Sequence, residues 1–243
     1  MYNFLKSVLK SVVPKETLIK NEDQLRNLLK PLYAGNQHEC SICKTKLKSF
    51  AKLENSDLIC PICGSLPRTR RLNLLLENEF LKEGSAFLDF SPSRMLYKKW
   101  KKRNDIYYFP TDFENEFLSD YQFDITNIQL EENKFDLIVC YHILEHIIED
   151  HKAMSELHRV LKIGGSLLVQ TPFKEGEIYE DFSKETESER LLHFGQKDHV
   201  RIYSVVGLES RLKNVGFKTE IRVFEENNYL GLSTNEVVIV CKK

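Results

Sequence analysis

The sequence predicts an α/β fold: a mostly parallel sheet with an antiparallel C-terminal strand, preceded by a small four-cysteine module and an N-terminal helix. Two observations predict the sheet. Short apolar runs, SAFLDF, DIYYFP, FDLIVCY and GSLLVQTP, alternate with segments of helical spacing after Gly84, the pattern of a parallel sheet buried on both faces. The closing runs FKTEIRVF and NEVVIVCKK are joined by a turn-rich stretch rather than a helix, so they end the sheet antiparallel. The third observation predicts the module: four of the six cysteines form two CxxC pairs ahead of the sheet.

The elements follow in order. MYNFLKSVLKSVVPKE alternates apolar residues with Lys6 and Lys10 and lacks an apolar h-region and a cleavage site, so it reads as a short amphipathic helix ending near Pro14 rather than a signal peptide. Residues 1 to about 36 are expected to be helical, with Ala34-Gly35-Asn36 as a turn. The module follows, and RRLNLLLENEFLK has helical spacing. In HKAMSELHRVLKIGG, Met154, Leu157 and Leu161 share one helical face, and the helix is expected to stop at Gly164 or Gly165. SVVGLESRLKNVGF turns Leu208 and Leu212 inward and stops at Gly216. Residues 174–190 read as a solvated charge run. These boundaries divide the chain into a helical extension (1–35), the cysteine module (36–72) and an α/β domain (73–243).

At 243 residues and 42% hydrophobic content, the chain holds one ordinary domain plus a small appendage and not two full domains. Thirty-five basic against 36 acidic side chains demand no polyanionic partner. No apolar stretch reaches the roughly 18 residues of a spanning helix, and the paired cysteines suit a reducing cytoplasm.

Cys40, Cys43, Cys60 and Cys63 form C-x2-C-x16-C-x2-C, a spacing that lets two knuckles supply four thiolates to one tetrahedral Zn²⁺. A closed four-thiolate site has no open position, so its task is structural. His38 is left as a surface residue. Cys140 and Cys241 lie in strand-like runs and read as small buried hydrophobes.

FLDFSPS, IYYFPTD, FDITNIQL and KFDLIVCYHILEHIIEDHKAMSELHRVLKIGGSLLVQTP resemble, in order and spacing, the Rossmann-like class I methyltransferases, most closely the type 11 group, over residues 85–243. The resemblance implies S-adenosylmethionine as cofactor. It matches Asp89 to the acid of the first turn and puts Ser91 and Ser93 at positions where the family has glycine. Asp112 would accept the ribose hydroxyls. Asp124, after a third strand, would lie near the adenine amino group, with Ile125 offering its amide. Tyr141 and His142 fall past the fourth strand, at the edge where such sheets bind ligands. CPICGSLPRTR and HFGQKDHVRIYS further resemble a bacterial subgroup linked to sugar or surface-polysaccharide modification, which implies a small-molecule or saccharide acceptor.

The loop FKEGEIYEDFSKETESERLLHFGQKDHVRIYS carries His193, Gln196, Asp198, His199, Arg201 and Tyr203 and reads as the acceptor loop. Transfer to an oxygen or nitrogen would then use His142 or His199 as base, with Arg201 holding the acceptor. The rival expectations are an rRNA or tRNA methyltransferase gripping RNA through its zinc ribbon, which the near-neutral charge disfavours, a cofactor-binding protein without activity, and an interaction module whose enzyme domain is scaffold.

Overall fold

The computed structural model describes residues 21–243, so the helix expected to end near Pro14 lies outside the described residues. The chain forms two compact units. One runs to Glu79 and takes in Phe224–Glu236; the other comprises Phe80–Val223 and Val237–Lys243.

In the first unit, helices α1 (Glu22–Asn27) and α2 (Lys30–Tyr33) precede strand β1 (Ala34–Glu39). The expected Ala34-Gly35-Asn36 turn is thus part of a strand, which pairs antiparallel with β2 (Lys46–Leu47). Close approach explains the glycine: a Cβ at Gly35 would stand 2.6 Å from Lys48 Cα. A second short hairpin pairs β3 (Ala51–Lys52) with β4 (Leu58–Ile59). Each CxxC then folds the same way. Lys44 N–H bonds Cys40 O and Gly64 N–H bonds Cys60 O, with both residues left-handed at φ 56° and 83°. Helix α3 (Pro67–Leu75) closes the module with proline in its first turn, where no amide partner is lost.

Buried Arg70 and Arg71 hold the returning segment to this unit. Arg70 donates to the carbonyls of Ser65 (2.5 Å), Leu58 (2.8 Å), Leu230 (3.0 Å) and Gly231, and stacks over Phe50. Arg71 donates to the carbonyls of Glu225 and Ser233 and pairs with Glu236.

The second unit is built on β5 (Ala86–Phe90), β6 (Tyr107–Thr111), β7 (Phe135–Tyr141), β8 (Leu161–Gln170), β11 (Lys218–Phe224) and β12 (Glu236–Lys242), in the order β11-β12-β8-β7-β5-β6. Strands β6, β5, β7 and β8 are parallel, and β12 lies antiparallel to β8, as expected. Helix α4 (Arg94–Trp100) joins β5 to β6 and α5 (Asp150–Val160) precedes β8. Further on come β9 (Tyr179–Glu180), α6 (Glu187–Phe194), β10 (Arg201–Ile202) and α7 (Val205–Asn214).

Alternate strand residues Leu88, Phe90, Ile138, Cys140, Leu167, Val169, Ile239 and Cys241 share one sheet face with period two. They pack there with Met154 and Leu157 of α5 and Leu208 and Leu212 of α7. Cys140 and Cys241 are fully buried free thiols.

Three local expectations give way. Helix α5 ends at Val160 rather than at the glycine pair, because Leu161 already pairs with Phe135 in the sheet. Gly164, at φ 78°, instead lies where the β7–β8 register shifts. No strand forms around FDITNIQL: Tyr121 makes one parallel bridge to Thr111, and the polar residues after it turn away. The stretch 174–190 is not merely solvated, since Glu180 pairs with Arg201 and Arg211, and Thr186 with Glu189 forms a capping box for α6.

Candidate functional site

Four parallel strands put the ends of β6, β5, β7 and β8 on one edge. The chain leaves β5 toward β6 on one side while β7 pairs on the other, which makes the gap beyond β5 and β7 the switch point where open α/β sheets bind ligands.

Ser91 stands first on this edge at φ 46°, the left-handed region that favours glycine. Two bonds hold it there: its N–H donates to Thr111 O (2.7 Å), and its hydroxyl to Asp112 Oδ1 (2.6 Å). Asp112 Oδ2 accepts the amides of Glu116 (2.6 Å) and Phe117 (3.1 Å). Asp112 is therefore a buried anchor of its loop as well as an acceptor at the edge. The Ser93 hydroxyl, at the start of α4, is buried without a hydrogen bond. A left-handed turn, an unsatisfied buried hydroxyl and a carboxylate one strand away fit a ligand rich in hydroxyls and amines, as S-adenosylmethionine is.

Asp89 lies elsewhere. With Phe87, Leu137, Val139, Leu168 and Val240 it belongs to the opposite sheet face, where it is fully buried and accepts Tyr108 Oη (2.9 Å). Burial pushes its carboxyl up to about 7, against the Tyr108 hydrogen bond. Its neutral form is the one the fold favours, so stability falls as pH rises from the unfolded value of 3.8 to about 7. Asp89→Asn is expected to be more stable than the parent at pH 8 by on the order of a few kcal/mol, since each tenfold change in proton affinity is worth about 1.4 kcal/mol. Near pH 4 the difference should vanish. Urea unfolding at both pH values checks this; equal stability at pH 8 would remove the burial cost.

Asp124 Oδ1 accepts the amide (2.8 Å) and hydroxyl (2.7 Å) of Thr126, a local turn that fixes the loop. Ile125 is buried in the main apolar cluster. Tyr141 ends β7, opposite Gln170. Next to it His142 is left-handed at φ 56° and its N–H bonds Gln170 O (2.8 Å). Its Nδ1 lies 3.4 Å from Glu145 Oε1, and its Nε2 is buried without a hydrogen bond.

The loop leading into β10 docks on the turn Leu144–His146. Val200 N–H bonds Glu145 O (2.9 Å), and the rings of His146 and His199 meet edge to face with centroids 4.7 Å apart. Burial, then His146, pushes His199 below the ordinary imidazole range. Asp198 Oδ2 is 3.3 Å from His146 Nδ1. His193 bonds the Tyr179 hydroxyl away from this cluster.

Arg201 differs from expectation. It is 1% exposed and spends its guanidinium on Glu180 Oε2 (3.0 Å), the carbonyls of Leu144 (3.1 Å), Ile147 and Ile148 (2.9 Å), and nearby Asp150 (3.6 Å). Arg211 and the Tyr203 hydroxyl complete the charge network on Asp150. All three guanidinium nitrogens of Arg201 are thus bonded within the protein. Sequence reasoning missed Glu145, whose only signal was its place in HILEH between two histidines.

The four cysteines also come together. Cys40 and Cys63 Sγ are 3.6 Å apart, Cys43 and Cys60 Sγ 3.8 Å, and all four lie within 4.8 Å of one another. Sulfurs bound tetrahedrally at about 2.3 Å from one ion stand about 3.8 Å apart, so the set fits a four-coordinate ion. Beside them lies the buried guanidinium of Arg70, whose charge suits a cluster of thiolates.

Residues 82–169 match the methyltransferase-domain family. A search of curated proteins matches an uncharacterised protein of Methanocaldococcus jannaschii, 36% identical over 63 residues, which is 24% of this chain and 28% of that protein. Among solved structures, an S-adenosylmethionine-dependent methyltransferase from Archaeoglobus fulgidus aligns with a TM-score of 0.54 at 16% identity over 74% of this chain and 95% of that one. A chain of the complex between the Haloferax volcanii Trm112 methyltransferase activator and a putative methyltransferase aligns at 0.51 and 12%, over 70% and 88%. Residues 82–169 thus match a methyltransferase domain, and the fold around them is the Rossmann-like one of these solved structures. Among the described residues no helix is long and apolar enough to cross a membrane.

Proposed function

We propose that the protein transfers a methyl group from S-adenosylmethionine to an oxygen or nitrogen of a small acceptor, with the cysteine cluster holding a structural zinc. The observation that carries the reading is the shared carboxyl edge, with Ser91, Ser93 and Asp112 on one side of the switch point and His142 on the other. Bound S-adenosylmethionine supplies an electrophilic methyl on a sulfonium. Asp112 accepts from the ribose hydroxyls, exchanging the Ser91 hydroxyl bond for a ligand bond, and the Ser93 hydroxyl gains a partner. Asp124 serves the adenine end and Tyr141 the floor.

His142 takes the acceptor proton. Its Nδ1 faces Glu145, which orients the ring and leaves Nε2 for the nucleophile. Arg201 positions rather than binds: it ties Leu144, Ile147 and Ile148 to the acceptor loop, so that His142 and His199 stay on one wall. Alignment in a site screened from water supplies the rest.

Asp112→Asn tests the cofactor side. The asparagine oxygen retains the two loop amides, but its amide group accepts nothing, so cofactor affinity should fall about tenfold to a hundredfold, equivalent to about 1.5–3 kcal/mol for a charged hydrogen bond. Calorimetric titration reads the change, with unfolding followed in parallel. Unchanged affinity in a folded variant removes Asp112 from the ribose.

The acceptor class is tested by incubating protein with methyl-labelled S-adenosylmethionine and separate pools of hydroxylated small molecules, small amines and RNA. Label in a small-molecule pool supports the reading. Label in RNA alone, or cofactor binding with no transfer to any pool, counts against it.

A further inference from the structure

We propose that Glu145, His146 and His199 form a second metal site, distinct from the cysteine cluster, for one divalent first-row transition-metal ion. Each residue offers a ligand atom, and these atoms lie within 4.8 Å of one another. Side-chain adjustments of about 1 Å bring two imidazole nitrogens and a carboxylate oxygen to the roughly 2.1 Å bonds such an ion makes.

The state of Glu145 is the independent observation. It is 1% exposed, and neither carboxylate oxygen receives a hydrogen bond. A carboxylate buried in this way is costly unless a positive charge or several donors compensate it. What faces it is a set of imidazoles, His142 at 3.4 Å and the His146–His199 pair. Two imidazoles in edge-to-face contact place their ring nitrogens beside Glu145, and an ion held between them and Glu145 supplies the missing charge.

The surroundings are those of a held site. Asp198 stands 3.3 Å from His146 Nδ1 and His142 stands beside Glu145 Oε1, outer partners of the kind that orient ligating side chains. The backbone is fixed by the Val200 N–H to Glu145 O bond and by Arg201, which binds the carbonyls of Leu144 and Ile148. Three protein ligands leave coordination positions open, unlike the closed cysteine cluster. The site lies against His142 at the carboxyl edge, so an oxygen of the acceptor or a water is the natural further ligand.

Cobalt(II) is the probe. The zinc-replete full-length protein is titrated with cobalt chloride while visible absorption, bound cobalt and retained zinc are measured. Zinc outcompetes cobalt in the cysteine cluster, and any exchange there announces itself by intense thiolate charge-transfer bands. The expected result is one cobalt per chain in saturable binding, with only the weak bands of nitrogen and oxygen ligation and no loss of zinc. Glu145→Gln and His199→Gln should each weaken it about tenfold or more, with circular dichroism unchanged. Should either variant fail to fold, the half-exposed His146→Asn takes its place. Absence of saturable binding at millimolar cobalt, thiolate bands alone, or affinity unaltered in the folded variants overturns the site. None of these readouts depends on cofactor or turnover, so the methyltransferase reading stands or falls separately.

Discussion

Cys60→Ser is expected to release the structural metal and unfold the first unit while the sheet of the second survives. Apart from β1, the strands of this unit are two residues long, and its apolar core is small. Its cohesion comes from four sulfurs converging within 4.8 Å and from the buried Arg70 beside them. Zinc binding to a four-thiolate site supplies on the order of 10 kcal/mol of folding free energy near neutral pH, more than a unit of this size holds in reserve. Without the ion, the remaining thiols bind weakly and the buried charge of Arg70 is left with its carbonyl partners. Hydrogen exchange should then rise in 36–72 and also in Phe224–Glu236, which Arg70 and Arg71 bind through the carbonyls of Leu230, Gly231, Glu225 and Ser233. Peptides from β5, β7 and β8 should keep their protection. A variant that retains protection across 36–72, or parent protein that contains no zinc, contradicts the structural role.

Arg201→Met is expected to destabilise the second unit by about 3–5 kcal/mol, the usual cost of removing one partner from a buried charge network. Asp150 and Glu180 would keep Arg211. The carbonyls of Leu144, Ile147 and Ile148 would lose a shared donor deep in the fold. Urea unfolding measures the loss. Methyl transfer should fall with it, because His199 and the turn Leu144–His146 come apart together, while cofactor affinity measured well below the unfolding range stays close to that of the parent. A variant of unchanged stability that cannot turn over would return Arg201 to the acceptor and refute its role as a brace.

The fold was legible where period and punctuation agreed. The four apolar runs became β5 to β8, and Leu208 with Leu212 faced the core because the 3.6-residue period set them there. Helix α5 misled at its end: Leu161 continues the helical stripe, but pairing with Phe135 prevails over helical periodicity. The third strand was expected from resemblance, and the polar run after Tyr121 does not sustain one.

The site was legible in position more than in role. The CxxC spacing marked the cysteine cluster because both knuckles repeat one backbone pattern. His142 and His199 were marked by chemistry; His142 follows the end of β7 and His199 packs on His146 in the turn after it. Arg201 was read as a ligand holder because a sequence shows that an arginine is charged, not whether carbonyls and carboxylates from three other segments consume it. Glu145 passed unnoticed for the same reason, since its significance lies in burial without donors.

The most direct test of the account is calorimetric titration of the purified protein with S-adenosylmethionine and with its demethylated product. One molecule of either ligand should bind per chain, saturably and about tenfold or more weakly in Asp112→Asn. No binding of either ligand at millimolar concentration, to protein shown by circular dichroism to be folded, would contradict it.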